Sequence, residues 1–271
     1  SKNIKNMISK LGVDYITYVN DWNDMQKLYK SFFLAKVPDP GVPGDLGIFG
    51  AIFKTCNQEN IKNVFFGQSF RTEGTQPREW SFIDGSYVKS IYKKYGDNSK
   101  LENYPNINFI EIAYNIYFKR IKTIPILNYI NYSKENAKKF LINEYKFEDY
   151  GGYHFENSLS KFINKYYNKN FLNFDRDIIS LSAKIREGKL SKNEAKQILN
   201  NEKPLDQNFV NYCLMKLRIN EIELQSIINS KPKNYKNFFT SYNIISKFKF
   251  ILKLLVKMRL FNPILYNKYV K

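Results

Sequence analysis

The chain has 271 residues, is 43% hydrophobic and 17% aromatic, and carries a formal net charge of +18. That length and apolar content support a buried core and exclude wholesale disorder. Two cysteines, Cys56 and Cys213, are too few for a disulfide framework and show no zinc-ligand spacing, so a reducing, cytoplasmic setting is expected.

VDYITYV (13–19) has the alternation and β-branched content of a strand, ending at Asn20-Asp21. WNDMQKLYKSFFLAK then carries apolar residues at helical spacing, and VPDPGVPGD (37–45) is a Pro/Gly loop in which Asp45 is placed to cap the next helix. In that helix Ile48, Ile52, Phe53 and Cys56 share a face. IKNVFFG (61–67) reads as a short apolar strand of the kind buried on both faces of a parallel sheet. Strand, helices, strand is a βαβ order, and in open α/β sheets ligands sit outside the carboxyl ends of the strands. Asp21 and Gly67-Gln68-Ser69 lie at such ends.

Beyond residue 100 the pattern becomes helical. NFIEIAYNIYFKRIKTI is amphipathic up to Pro125, Ser133 is placed to cap KENAKKFLINEY, and Ser191 with Glu194 forms an S-x-x-E capping box. Asp206 is placed to cap a helix running through LMKLRINEIELQSII, and the basic, aromatic tail 236–271 reads as helical. Lysines and arginines interrupt both of the longest apolar stretches, near 107–130 and 244–265, so no membrane span is expected.

Three stretches hold the residue types that chemistry needs. Gly67–Gly74 (GQSFRTEG) combines a glycine that lets a ligand approach the backbone with Arg71 for phosphate or carboxylate, Thr72 as a donor and Glu73 for Mg²⁺. Its alternative is a surface turn with a solvated Arg–Glu pair. DYGGYHFEN (149–157) holds the only histidine, His154, beside a double glycine and Glu156; a lone histidine is also compatible with a structural role. In NFDRDIISLSAKIREGKLS, Asp175, Arg176 and Asp177 precede a helix, either to reach an anion or as an exposed ion pair.

The runs LGVDYITYVNDW, FFLAKVPDPGVPGD, GQSFRTEGTQPREWSFIDGSYVKSIYKKYG, DYGGYHFENSLSKFINKYY and FDRDIISLSAKIREGKLSKNEA, in this order, resemble the N-acetyl sugar amidotransferases of bacterial surface-glycan synthesis. That family is itself similar to the pyrophosphatase-loop (adenine nucleotide alpha hydrolase-like) enzymes. The resemblance implies an α/β fold: a Rossmann-like parallel sheet, incomplete at the N-terminus, followed by a mainly helical C-terminal region. Residues 1–100 would form a partial nucleotide-binding domain and 101–271 a helical substrate and partner region. It implies ATP-dependent conversion of a sugar acetamido group to acetamidino through an adenylylated intermediate, with Mg²⁺. Ammonia would come from a glutaminase of the imidazole-glycerol-phosphate-synthase type, often with a cyclase-like subunit.

Carried onto this chain, the resemblance makes Glu73, Arg71 and Asp84 (in a W-x-x-x-D spacing from Trp80) the catalytic candidates, with Glu73 also on the metal. Asp21, Gly67, Gln68 and Thr72 would bind the nucleotide, and Asp45, His154, Glu156 and Arg176 the sugar. The family's paired cysteines and SGGxDS loop are absent here, since no Ser-Gly-Gly occurs in the chain. The simplest expectation is that they lie upstream of Ser1. GDLGIF stands where the family has a Thr-Asp-His run, and Gln68 where histidine or threonine is common. Two other readings remain open: an RNA-modifying pyrophosphatase-loop enzyme, which the +18 charge suits, and a non-catalytic scaffold that docks a glutaminase.

Overall fold

The computed structural model describes residues 2–152 and 155–270. They divide into two units that interleave along the chain: Ser1–Val19, Asn63–Thr75 and Lys122–Cys213 in the first, and Asn20–Lys62, Gln76–Ile121 and Leu214–Lys271 in the second.

The first unit contains the two strands found among the described residues, β1 (Asn63–Phe65) and β2 (Lys122–Ile124). They run parallel with Val64 opposite Thr123, and Phe66 N–H extends the ladder to Ile124 O at 2.9 Å. Both departures from the sequence expectation have one cause: a strand exists only where it is paired. The stretch 13–19 has strand-like residues but belongs to neither helix nor sheet, and Val13, Tyr15, Ile16 and Val19 are exposed. Conversely, KTI (122–124), expected as the end of an amphipathic helix, pairs with β1 instead. The helix that precedes it runs Phe109–Ala113, passes into a π-helical turn, Tyr114–Phe118, and stops before Arg120, whose φ is +57°. β1 is not buried on both faces, since Phe65 is 68% exposed.

Around this pair the unit is helical. Lys2–Leu11 packs on Lys134–Tyr145 and is pinned by Asn3, which exchanges two 2.9 Å hydrogen bonds with the Glu148 backbone. Ser133 accepts from Asn136 N–H, and Ser191 and Glu194 form the expected capping box ahead of Lys192–Asn200. Each such cap satisfies helix N–H groups that have no partner within the helix, worth about 1 kcal/mol.

In the second unit, helix Trp22–Leu34 packs on Gly85–Tyr95, burying Leu28, Phe32, Val88 and Ile91, with Phe32 edge-on to Tyr87 at 5.5 Å. Helix Val42–Gln58 begins earlier than expected, with Gly41 as cap and Pro43 in its first turn, so Asp45 lies in the first turn and is not the cap. Phe53 and Cys56 of its expected face are buried, whereas Ile48 is exposed. The helix expected through residues 214–228 is two: Gln207–Lys216, which begins in the first unit and ends in the second, then Glu221–Asn229 with Asn220 and Glu223 as a capping box. Arg218, at φ +51°, separates them. The tail is helical as expected, over Ser241–Ile245, Lys249–Lys257 and Pro263–Val270.

Candidate functional site

The carboxyl ends of β1 and β2 lead into two loops that meet within the first unit. After β1 the chain passes Gly67 and Gln68, both exposed, and turns into the short helix Phe70–Glu73. After β2 it passes through a 3-10 turn, Ile126–Asn128. Asn128 Oδ1 accepts from Phe70 N–H at 3.2 Å, and the Arg71 guanidinium donates to the carbonyls of Asn128 and Ile130, each at 3.5 Å. Those are long bonds, so the exposed guanidinium is oriented but little of its donor capacity is used.

Helix Asp177–Arg186 packs behind the turn. Gly74, at φ +76°, brings the chain so close that a Cβ there would sit 2.6 Å from Ile179 O. Gly67 is the opposite case, with nothing within 4 Å of the equivalent position, so its Cα faces open space. Ser69 occupies the cap position but its hydroxyl does not cap; it is 1% exposed and Oγ has no hydrogen-bond partner among the described residues. A buried hydroxyl without a partner costs about 1–3 kcal/mol, and polar atoms of this kind mark places where a ligand or water completes the set.

Glu73 and Thr72 are half-buried. Burial raises the Tyr132 phenol above its ordinary value, and the charges of Glu73 and Glu135 add to the shift. Glu135 is itself held low by hydrogen bonds from its own backbone and from Ser133, and by the Lys184 and Lys189 charges, against the opposing effect of burial. The loop at the end of β1 therefore combines an exposed cation, Arg71, with a carboxylate, Glu73, and a buried hydroxyl, Ser69; Tyr132 feels the charge of Glu73 together with that of Glu135 on helix Lys134–Tyr145. Ser69, Tyr132, Glu135 and Lys184 were not legible as site residues, because only the pairing of β1 with β2 and the packing of helix Asp177–Arg186 gather them.

The other expected site residues fall elsewhere. Glu156 is exposed and Arg176 half-buried at the start of helix Asp177–Arg186, both in the first unit. His154 lies outside the described residues. Asp21, Asp45 and Asp84 belong to the second unit. Asp21 caps helix Trp22–Leu34, with Oδ1 accepting from Asn23 N–H at 2.8 Å and Asp24 N–H at 3.1 Å. Asp45 is exposed, and its charge reaches the largely buried phenols of Tyr29 and Tyr104. Asp84 is 1% exposed, caps helix Gly85–Tyr95, and accepts from Tyr87 N–H, Ser241 N–H and the Tyr269 hydroxyl.

A second charged cluster joins Asp175 and Asp177 to Glu202, whose oxygens lie within 4.8 Å of one another. Two lysines already bridge them: Lys165 pairs with Asp177 and Glu202, and Lys169 with Asp175 (2.8 Å) and Glu202. The arrangement is an ion-pair network tying three helical segments together, and Glu73 belongs to no such acidic cluster among the described residues. Burial works to raise the Glu202 carboxyl, but hydrogen bonds from Lys165 and Lys169 outweigh it and the net shift is downward. A lowered folded-state value means stability present above the unfolded value and lost as pH falls through the folded one. Thermal melts should therefore lose stability below roughly pH 5, and Glu202→Gln should flatten that loss. An unchanged acid profile in the variant would remove the network from the account.

Residues 156–254 match the family model described as the C-terminal domain of WbpG-like LPS biosynthesis proteins. The match runs through the ion-pair network and supports a link to lipopolysaccharide and surface-glycan biosynthesis. Searches of curated proteins and of solved structures return no match.

Proposed function

We propose that the protein is an ATP-dependent amidotransferase that converts the acetamido group of a sugar to an acetamidino group for surface-glycan synthesis. Ammonia would be delivered by a partner glutaminase of the imidazole-glycerol-phosphate-synthase type, with a cyclase-like subunit alongside it. In this reading the parallel pair is part of a Rossmann-like sheet, and the helical remainder holds sugar and partner. One observation carries it: the loop at the carboxyl end of β1 presents Arg71, Thr72 and Glu73 together with the unfilled Ser69 hydroxyl, at the position where open α/β sheets take their ligands. The match over residues 156–254 supports the same biosynthetic class.

The residues fit a Mg²⁺-nucleotide in kind. An exposed guanidinium with spare donors and an unpaired hydroxyl suit phosphate oxygens, and a carboxylate suits a hard divalent cation. ATP supplies the activation that an amide oxygen, a poor leaving group, requires. The chain's own task is placement and charge. Arg71 holds negative charge at the loop, Thr72 donates a hydrogen bond, Glu73 carries the metal, and Gly67 with Gln68 leaves the backbone open to close approach. Glu156 and Arg176 are the sugar-side groups, Arg176 matching a carboxylate or phosphate on the sugar.

Calorimetric titration of the protein with Mg²⁺ and ATP tests the site. Arg71→Ala should weaken binding by about tenfold or more. Glu73→Gln should weaken binding chiefly by removing its dependence on Mg²⁺. A wild-type protein that takes up no Mg²⁺-nucleotide contradicts the reading, and binding of a glutaminase without any nucleotide would favour the scaffold.

A further inference from the structure

From residue 224 to the end the chain contains no Asp or Glu, while Lys247, Lys249, Lys253, Lys257 and Arg259 crowd one short segment of it. That segment is helix Lys249–Lys257, preceded by the 3-10 turn Ser246–Phe248. It ends in a Schellman closure, with Leu260 N–H on Leu255 O at 2.8 Å, Arg259 N–H on Val256 O at 3.0 Å, and Arg259 at φ +61°. The helix packs against Pro263–Val270, and Leu252, Leu255 and Val256 are half-buried. Its other side is apolar and bare: Phe250 is 82% exposed, and Ile251, Leu254 and Met258 are more than half exposed.

Helical spacing sorts these residues into rows. Phe250, Leu254 and Met258 recur every fourth position and line up, with Ile251 beside them; Lys249, Lys253 and Lys257 form the adjacent row. An apolar stripe bordered by cations, within a run free of acids, complements a surface that is apolar inside and anionic at its edge. A bilayer with anionic headgroups has that profile. Nucleic acid offers the anions but no home for Phe250 and Leu254. A second copy would set one lysine row against another. No helix among the described residues is long and apolar enough to cross a membrane, so the helix would lie in the plane of the interface.

We propose that helix Lys249–Lys257 seats the protein on an anionic phospholipid surface, with Phe250, Leu254 and Met258 in the acyl boundary and the lysine row on headgroup phosphates. The helix and the loop that follows β1 share no residue and belong to different units, so vesicle binding and nucleotide binding are measured, and fail, separately.

The test is co-sedimentation of the protein with vesicles of phosphatidylcholine alone and of phosphatidylcholine mixed with phosphatidylglycerol. Binding to the mixed vesicles should be at least about tenfold tighter and should weaken as salt is raised. Phe250→Glu with Leu254→Glu should abolish it. Lys253→Gln with Lys257→Gln should weaken it by roughly thirtyfold. All four positions are exposed, so circular dichroism should show both variants folded. Failure to bind either vesicle, equal binding to both, or binding that survives Phe250→Glu with Leu254→Glu overturns the proposal. So does a dimer that this variant splits in the absence of vesicle binding, which would assign the stripe to a second copy.

Discussion

Asp84→Ala is expected to destabilise the second unit by roughly 3–4 kcal/mol, because it strands buried donors and leaves a cavity at once. Asp84 Oδ1 accepts from Tyr87 N–H at 3.0 Å and Ser241 N–H at 3.2 Å, and Oδ2 from the Tyr269 hydroxyl at 3.0 Å. These bonds join a helix cap to two other segments, and Tyr269 has no route to water, being fully buried against Phe82 and Phe109. Lys268 depends on the same carboxylate. It donates to Ile83 O, and burial pushes its ammonium down to about 8 while the Asp84 charge works the other way. Without Asp84 the lysine loses that counter-charge and should become neutral at lower pH. Asp84→Asn keeps the shape and an acceptor for the two N–H groups, so its loss should be about half as large. Urea unfolding of the two variants checks the order, and a near-neutral Asp84→Ala would contradict the assigned bonding.

Gly74→Ala should cost about 3 kcal/mol or more and disable the loop after β1. The backbone there, φ +76° and ψ −166°, lies in a region essentially restricted to glycine, where another residue costs about 1–3 kcal/mol. The added Cβ would also meet Ile179 O at 2.6 Å and Ile179 Cγ2 at 2.9 Å, so the turn and helix Asp177–Arg186 must part, for about 1–3 kcal/mol more. Arg71 and Glu73 sit on that turn, so nucleotide binding and stability should fall together. Gly67→Ala supplies the contrast. Its Cβ enters open space, so stability should change by less than about 0.5 kcal/mol while close approach of a ligand is obstructed. Two variants with equal melting temperatures would contradict the packing of the turn.

What could be read from residue order was local. The Ser191–Glu194 box and the Ser133 cap bind N–H groups within three residues, so the signal and the structure occupy the same few positions. Strand pairing was not local. β1 meets β2 across more than fifty residues of chain, and KTI carries no sign that its partner is NVF. The stretch 13–19 shows the reverse, with strand propensity and no strand, because β-propensity describes fitness for a pleated surface and does not supply the neighbour. At the site, GQSFRTEG was legible as a loop after a strand. Ser69's buried hydroxyl and the approach of Tyr132 to Glu73 and Glu135 arise from tertiary packing and had no sequence signal. The network of Lys165 and Lys169 with Asp175, Asp177 and Glu202 was half legible, since the lysines stand four apart but Glu202 lies thirty-three residues beyond Lys169.

The most direct measurement is mass-spectrometric detection of products from the protein incubated with ATP, Mg²⁺, ammonia and a diacetamido sugar nucleotide. An acetamidino sugar and AMP should form in equal amounts, both dependent on ammonia and both lost in Glu73→Gln. AMP release that needs no sugar, or a protein that binds the nucleotide and returns every acetamido sugar unchanged, would contradict it.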